Sequence, residues 1–134
     1  SDLIKFQQWV HHFFEWDYLS SIHILTPLYE RVLLNICSVL GIDTIAWLRW
    51  APWVAPKMVW KDFVLSDDFQ KLWWVNIAKQ LNFIMYEPQG YNIRNEVAHW
   101  EINYSKCNFQ TNVILLYLYI ILAARVKVQT DTSK

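Results

Sequence analysis

The chain has 134 residues, with 12 basic and 12 acidic side chains and a formal net charge of zero. That length supports one domain with a real core, and the 54% hydrophobic and 17% aromatic content excludes a disordered tail. The cancelled charge excludes a protein that coats nucleic acid by bulk electrostatics, so any RNA contact has to be local. Charged residues are sparse at 18% and tryptophans number nine, so some apolar surface is expected to meet a partner. Cys37 and Cys107 make neither a disulfide framework nor a metal cluster and read as idle buried thiols of a reducing, cytoplasmic compartment. No signal-peptide pattern is present, and a chain that opens on Ser1 reads as part of a longer protein.

Taken in order, the residues predict an all-α fold, an antiparallel bundle of four main helices with a Trp-rich insert, in one domain over 1–134. Asp2 to Tyr18 forms the first helix on the spacing of Leu3, Phe6, Val10, Phe13 and Phe14. His11 and His12 are adjacent, lack metal-pair spacing and are placed on the surface. The second helix begins at Thr26 as N-cap with Pro27 in the first turn, carries Tyr29, Val32, Leu33, Ile36 and Leu40, and stops at Gly41. From Ile42 to Leu65 the pattern loosens. Asp43 or Thr44 caps a short helix through Trp50, and Pro52 and Pro56 prevent a long one. Trp47, Trp50, Trp53 and Trp60 crowd this insert. Stacked bases would suit them, but only Arg49, Lys57 and Lys61 accompany them, so packing or a protein interface is favoured. Ser66 caps the third helix, with Phe69, Leu72, Trp73, Ile77, Leu81 and Ile84 as its core face, and Glu87-Pro88-Gln89-Gly90 breaks it. The last helix begins at Asn108 or Thr111. Its apolar run from Val113 to Ala124 is too short to span a bilayer, so no membrane contact is expected from this segment, and the tail frays from Val128.

Between the third and last helices lies Gly90 to Trp100, GYNIRNEVAHW. It sets a fixed cation, Arg94, beside an amide, Asn95, a carboxylate, Glu96, and an imidazole, His99. On a helix Asn95 and His99 share a face, and only the long arm of Arg94 can bring the guanidinium near the imidazole. Phosphodiester transfer needs a group that titrates near neutrality and a cation for the charge that develops on the phosphate oxygens. The same four residues also suit a surface ion pair beside a solvated histidine.

The segment resembles the Arg-x4-6-His motif of HEPN domains (higher eukaryotes and prokaryotes nucleotide-binding). It is most similar to the branch in ER-membrane-associated RNA degradation proteins and their bacterial relatives, which reads G-x-N-[LI]-R-N-x-x-x-H-G. The stretch P-L-Y-E-R-V-L-L-N at Pro27 to Asn35 resembles the same branch, and the likeness covers about residues 20 to 125. The resemblance implies a metal-independent endoribonuclease working as a homodimer on RNA, with no cofactor. In that role Arg94 is the phosphate ligand, His99 the base or acid, and Asn95 the polar residue that holds the site. Glu30 is either a solvated carboxylate at the helix boundary or the partner that orients Arg94, and Glu96 falls in the variable interval. Trp100 departs from the family's Gly. Its ring would narrow the cleft or stack on a base. The other reading is a non-catalytic dimerisation or scaffold module of an RNA-processing or defence protein, and a third is nucleotide binding without cleavage. The domain is expected in the cytoplasm, or at the cytosolic face of the ER through the rest of its parent chain.

Overall fold

The computed structural model describes residues 1–47, 54–56 and 61–132. The fold is an all-α bundle, as expected, built from α1 (Asp2–Phe14), α2 (Tyr18–Val39), α3 (Lys61–Val64), α4 (Asp67–Trp73), α5 (Val75–Met85), α6 (Ile93–Ala98) and α7 (Phe109–Thr132). The central element is α2, and α1, α6 and α7 all pack against it. Its buried face carries Ile22, Leu25, Tyr29, Leu33 and Cys37, which meet Trp9, Trp73, Leu81, Ile93, Leu115 and Leu118 from the surrounding helices.

Helix boundaries depart from the sequence reading where the chain turns without glycine. Helix α1 ends at Phe14, short of Tyr18, because Trp16 takes a left-handed backbone (φ 64). Trp16 N–H donates to Phe13 O and Asp17 N–H to His12 O, a turn that closes the last carbonyls of the helix. The same Asp17 then starts α2, accepting from the Ser20 amide at 3.1 Å, and these Ser20 hydrogen bonds hold its carboxyl below the usual range. Helix α2 therefore begins eight residues ahead of the expected Thr26, and Pro27 lies inside it. Its missing amide hydrogen leaves His23 O without the usual partner one turn back. Gly41 (φ 89) ends α2 as read: its N–H donates to Ser38 O and that of Ile42 to Cys37 O.

The expected short helix after Asp43 is instead a strand, β1 (Ile45–Trp47), paired antiparallel with β2 (Val54–Pro56), Ala46 facing Ala55. β-branched and aromatic residues flanked by prolines suit this small ribbon better than a helix. Arg49, Trp50, Trp53, Lys57 and Trp60 lie outside the described residues, so the stacking platform has no structural account here. Ser66 caps α4 as expected, accepting from Phe69 N–H. The single third helix is divided, however, by Trp74 at φ 67 and ψ 147, with the Arg125 guanidinium 4.4 Å over its ring.

Asn108 caps α7, its Oδ1 accepting from Thr111 N–H at 2.9 Å. The helix continues through Thr132, past the expected fraying point. By length and composition alone the 19 residues Phe109–Lys127 (mean hydropathy 1.6) would be enough to cross a membrane, and the apolar window within them is 28% buried in the domain. Leu115, Leu118 and Leu122 face the core, whereas Phe109, Val113, Tyr117 and Ile120 face outward. Leu3 and Phe14, expected in the core, are also exposed, and Trp9 takes their place inside. Both cysteines are free and buried, and burial pushes the Cys37 thiol up to about 11.

One polar residue joins three helices. Asn112 is fully buried, and its Oδ1 accepts from Trp9 Nε1 (3.3 Å) on α1 and from Ser21 Oγ on α2. Its Nδ2 donates to Asn108 O at 3.0 Å. Truncation would strand an indole N–H and a hydroxyl away from water, at about 1–3 kcal/mol each. Asn112→Ala is expected to destabilise the domain by about 3 kcal/mol, lowering the thermal midpoint by about 10 °C. An unchanged midpoint in thermal circular dichroism would show that the joint carries no stability.

Candidate active site

The lead-in to α6 is fixed by close packing. A Cβ on Gly90 would lie 2.2 Å from Phe83 O, so no larger residue fits the turn that returns along α5. Asn92 follows in the left-handed region (φ 52), which Asn tolerates, and its Oδ1 accepts from Asn95 Nδ2 at 2.8 Å. Ile93 and Val97 anchor the six-residue α6 in the core. Such a short helix has little stability of its own, so these anchors and its polar contacts decide where Arg94 and Asn95 point.

They point at α2. Arg94 Nε donates to Glu30 Oε1 at 2.7 Å, with both side chains less than one-fifth exposed (17% and 19%). The Tyr86 hydroxyl donates to the same Glu30 oxygen at 3.2 Å. Asn95 closes the ring: its Nδ2 donates to Tyr86 O (3.3 Å) and its Oδ1 accepts from Arg94 Nη1 (3.5 Å). Burial raises the Glu30 carboxyl above its ordinary value, and the Arg94 charge with the Arg94 and Tyr86 hydrogen bonds opposes that rise. Burial, and then the Glu30 charge, pushes the Tyr86 phenol well up, which keeps it a donor. The guanidinium is thus oriented through its Nε edge, and Nη2 has no partner among the described residues. Glu30 is the orienting partner, not a solvated boundary carboxylate.

Beside this cluster opens a cavity of about 290 Å3, lined by His23, Thr26 and Glu30 from α2, by Arg94 from α6 and by Trp100. Trp100 is 81% exposed and sits in the left-handed region (φ 56). Its N–H donates to Val97 O and that of Glu101 to Glu96 O. This is the glycine-favouring turn after a helix, which gives a physical reason for a Gly at that point in similar motifs. Here the indole instead stacks on His23, with centroids 4.8 Å apart and planes at 27°.

The other candidates lie elsewhere. His99 ends α6 as an exposed residue, its ring has no hydrogen-bond partner among the described residues, and it does not line the cavity. Glu96 turns away from Arg94 and pairs with Lys106, which also donates to Tyr91 O at 3.3 Å. Glu96 therefore ties α6 to the 3-10 turn Tyr104–Lys106 instead of supporting Arg94. His12 meets Asp17 at 3.1 Å. No group of three or more His, Cys, Asp or Glu able to hold a metal ion occurs among the described residues. Comparison of the chain with protein-family models, characterised proteins and solved structures gives no match.

Sequence reading missed His23. Its signal was the spacing His23, Thr26, Pro27, Glu30, one face of a helix. That face is invisible once the helix is taken to start at Thr26.

The Glu30 environment makes a pH prediction. Because the folded chain holds the Glu30 proton more tightly than the unfolded chain, the stability from this group is greatest below the ordinary value of 4.5 and falls as pH rises through the raised folded value. Glu30→Gln keeps an acceptor for Arg94 and Tyr86 but cannot titrate. The wild-type thermal midpoint minus that of Glu30→Gln should therefore shrink as pH is raised from 4 toward 7, and a widening gap would contradict the burial account. Glu30→Ala should cost about 2 kcal/mol more than Glu30→Gln, since it leaves a half-buried guanidinium unpaired.

Proposed function

We propose that the domain is a metal-independent endoribonuclease of HEPN type. The observation that carries this reading is the Arg94 guanidinium, held by Glu30 and Asn95 through Nε and Nη1, with Nη2 unpartnered among the described residues and the side chain lining the cavity. An oriented guanidinium beside an open cavity suits the non-bridging oxygens of a phosphodiester and gains strength as charge builds on them. The RNA supplies its own nucleophile: the 2′-oxygen forms a bond to phosphorus, the bond to the 5′-oxygen breaks, and a 2′,3′-cyclic phosphate is left. His99 carries a proton in this exchange. Its exposed position at the end of α6 suits a homodimer in which the histidine of one copy approaches the Arg94 cavity of the other. The domain would act in the cytoplasm, with α7 as a bundle helix whose leucines face the core.

A specific observation also favours the scaffold reading. Glu30 neutralises Arg94, and apolar side chains such as Phe14, Trp16 and Ile120 are exposed, so the pair could serve the fold while the surface serves a partner. The two readings differ in what substitution does. For the ribonuclease, Arg94→Ala and His99→Ala should each lower cleavage of labelled single-stranded RNA by about 100-fold or more, with helical circular dichroism retained. Cleavage should persist in excess EDTA, and RNA methylated at the scissile 2′-oxygen, like DNA, should be inert. Cleavage that stops with EDTA and returns with Mg2+, or that proceeds on DNA, would sink the assignment. A strict monomer in sedimentation at micromolar concentration would remove the composite site.

A further inference from the structure

The α2 wall of the Arg94 cavity carries a histidine that the motif does not include. His23 Nδ1 lies 2.8 Å from Leu19 O. A carbonyl only accepts, so in the neutral ring Nδ1 carries the proton and Nε2 the lone pair. Nε2 is out of solvent contact and has no hydrogen-bond partner among the described residues. One turn on, Thr26 is 2% exposed, its Oγ1 likewise has no partner among the described residues, and both residues line the cavity. Buried polar atoms without partners are uncommon, because each forfeits its hydrogen bonds to water. Two of them on one face of α2, in a cavity that a guanidinium also lines, suit a ligand that brings hydroxyl groups and an anion together. A ribose with its 3′-phosphodiester is such a ligand.

We propose that His23 is the base of this cavity: its Nε2 takes the proton of a ribose 2′-hydroxyl whose 3′-phosphodiester is held by Arg94. The inference rests on the ribonuclease reading and names the first proton transfer within it. As Nε2 gains that proton, the 2′-oxygen bonds to phosphorus and the 5′-oxygen departs. His99 returns a proton to the departing oxygen, and exchange with water resets both rings. Thr26 Oγ1 positions the ribose through its hydroxyl. The charged side chains around His23 are Glu30 and Arg94 in this cavity, and Lys5 and Arg31 in a neighbouring one of about 380 Å3 that shares His23. Arg31 is itself paired with Asp2 at 3.1 Å. The Trp100 indole stacked on the imidazole must move for a ribose to reach Nε2, and its exposure leaves it room to do so.

The test compares wild type, Arg94→Ala, His23→Asn and His99→Asn on labelled single-stranded RNA, and follows the His23 imidazole by NMR during titration with uridine 3′-monophosphate. Asparagine at 23 keeps a donor for Leu19 O and lacks the lone pair at Nε2. His23→Asn should cut cleavage by about 100-fold or more while nucleotide affinity stays within about three-fold. The nucleotide should shift the His23 Nε2 resonance in wild type and leave it unmoved in Arg94→Ala. Wild-type cleavage by His23→Asn, with Arg94→Ala inert, overturns the role of His23 and leaves the ribonuclease reading standing. A wild-type protein that does not cleave overturns that reading, and the base assignment with it. Should His23→Asn fail to fold, the wild-type titration decides: a His23 Nε2 signal indifferent to saturating nucleotide overturns the proposal.

Discussion

A carboxylate that burial would rather neutralise, held beside a guanidinium, sets the geometry around this site. Glu30 gives a single oxygen to both Arg94 and Tyr86. Through that oxygen the six-residue α6 is tied to the longer α2, and the backbone carbonyl of Tyr86 is tied to Asn95. Removing two partly buried charges from water is unfavourable, and only good geometry with further hydrogen bonds offsets it. Here those bonds come from a phenol, an amide side chain and the turn before α6. The pair is therefore better understood as a device for orientation than as a source of stability. It fixes the Nε edge of the guanidinium, Asn95 meets Nη1, and Nη2 has no partner among the described residues.

The motif's two most prominent residues, Arg94 and His99, are treated differently by the fold. Arg94 is enclosed and oriented. His99 sits at a helix end in solvent, where none of the described residues hydrogen-bonds its ring. Within one chain they do not form a unit, whereas His23 and Arg94 share a cavity. A short sequence motif records neighbours along the chain, but a cavity is assembled from elements far apart in it. The Glu30–Arg94 contact alone joins residues 64 apart.

Legibility from sequence followed the chemistry of the helix ends. Ser66, Gly41 and Asn108 were readable because a hydroxyl, a missing Cβ and a short amide are the side chains that such ends favour. Trp16, Trp74 and Trp100 were not, because all three occupy positive-φ backbone that glycine normally takes, at a cost of about 1–2 kcal/mol each. Tryptophan reads as a core residue, yet these three are exposed. Pro27 misled in the opposite direction: it suits a first turn, but packing of the long α2 face keeps it mid-helix. That single shift of boundary hid His23. Glu30 was legible as a candidate partner of Arg94, while the α6 anchors Ile93 and Val97 and the Lys106 partner of Glu96 depended on tertiary placement that no local spacing encodes.

The buried amide of Asn112 on α7 has a further consequence for how that helix docks. From Val113 to Ala124 the helix is apolar on every side, so Val113, Tyr117 and Ile120 would satisfy the core almost as well as Leu115, Leu118 and Leu122. Hydrophobic burial is indifferent to such a choice, since it scales with area and has no direction. Rolling the helix about its axis, or sliding it by one turn, would exchange one greasy face for another at little loss. What distinguishes the observed docking from these near-degenerate alternatives is its polar contacts: Asn112 reaches Trp9 and Ser21, the Tyr117 hydroxyl donates to Gln80, and Arg125 Nε donates to Leu72 O. A few directional hydrogen bonds along an otherwise apolar helix thus act as its index marks and select one packing among several of nearly equal burial.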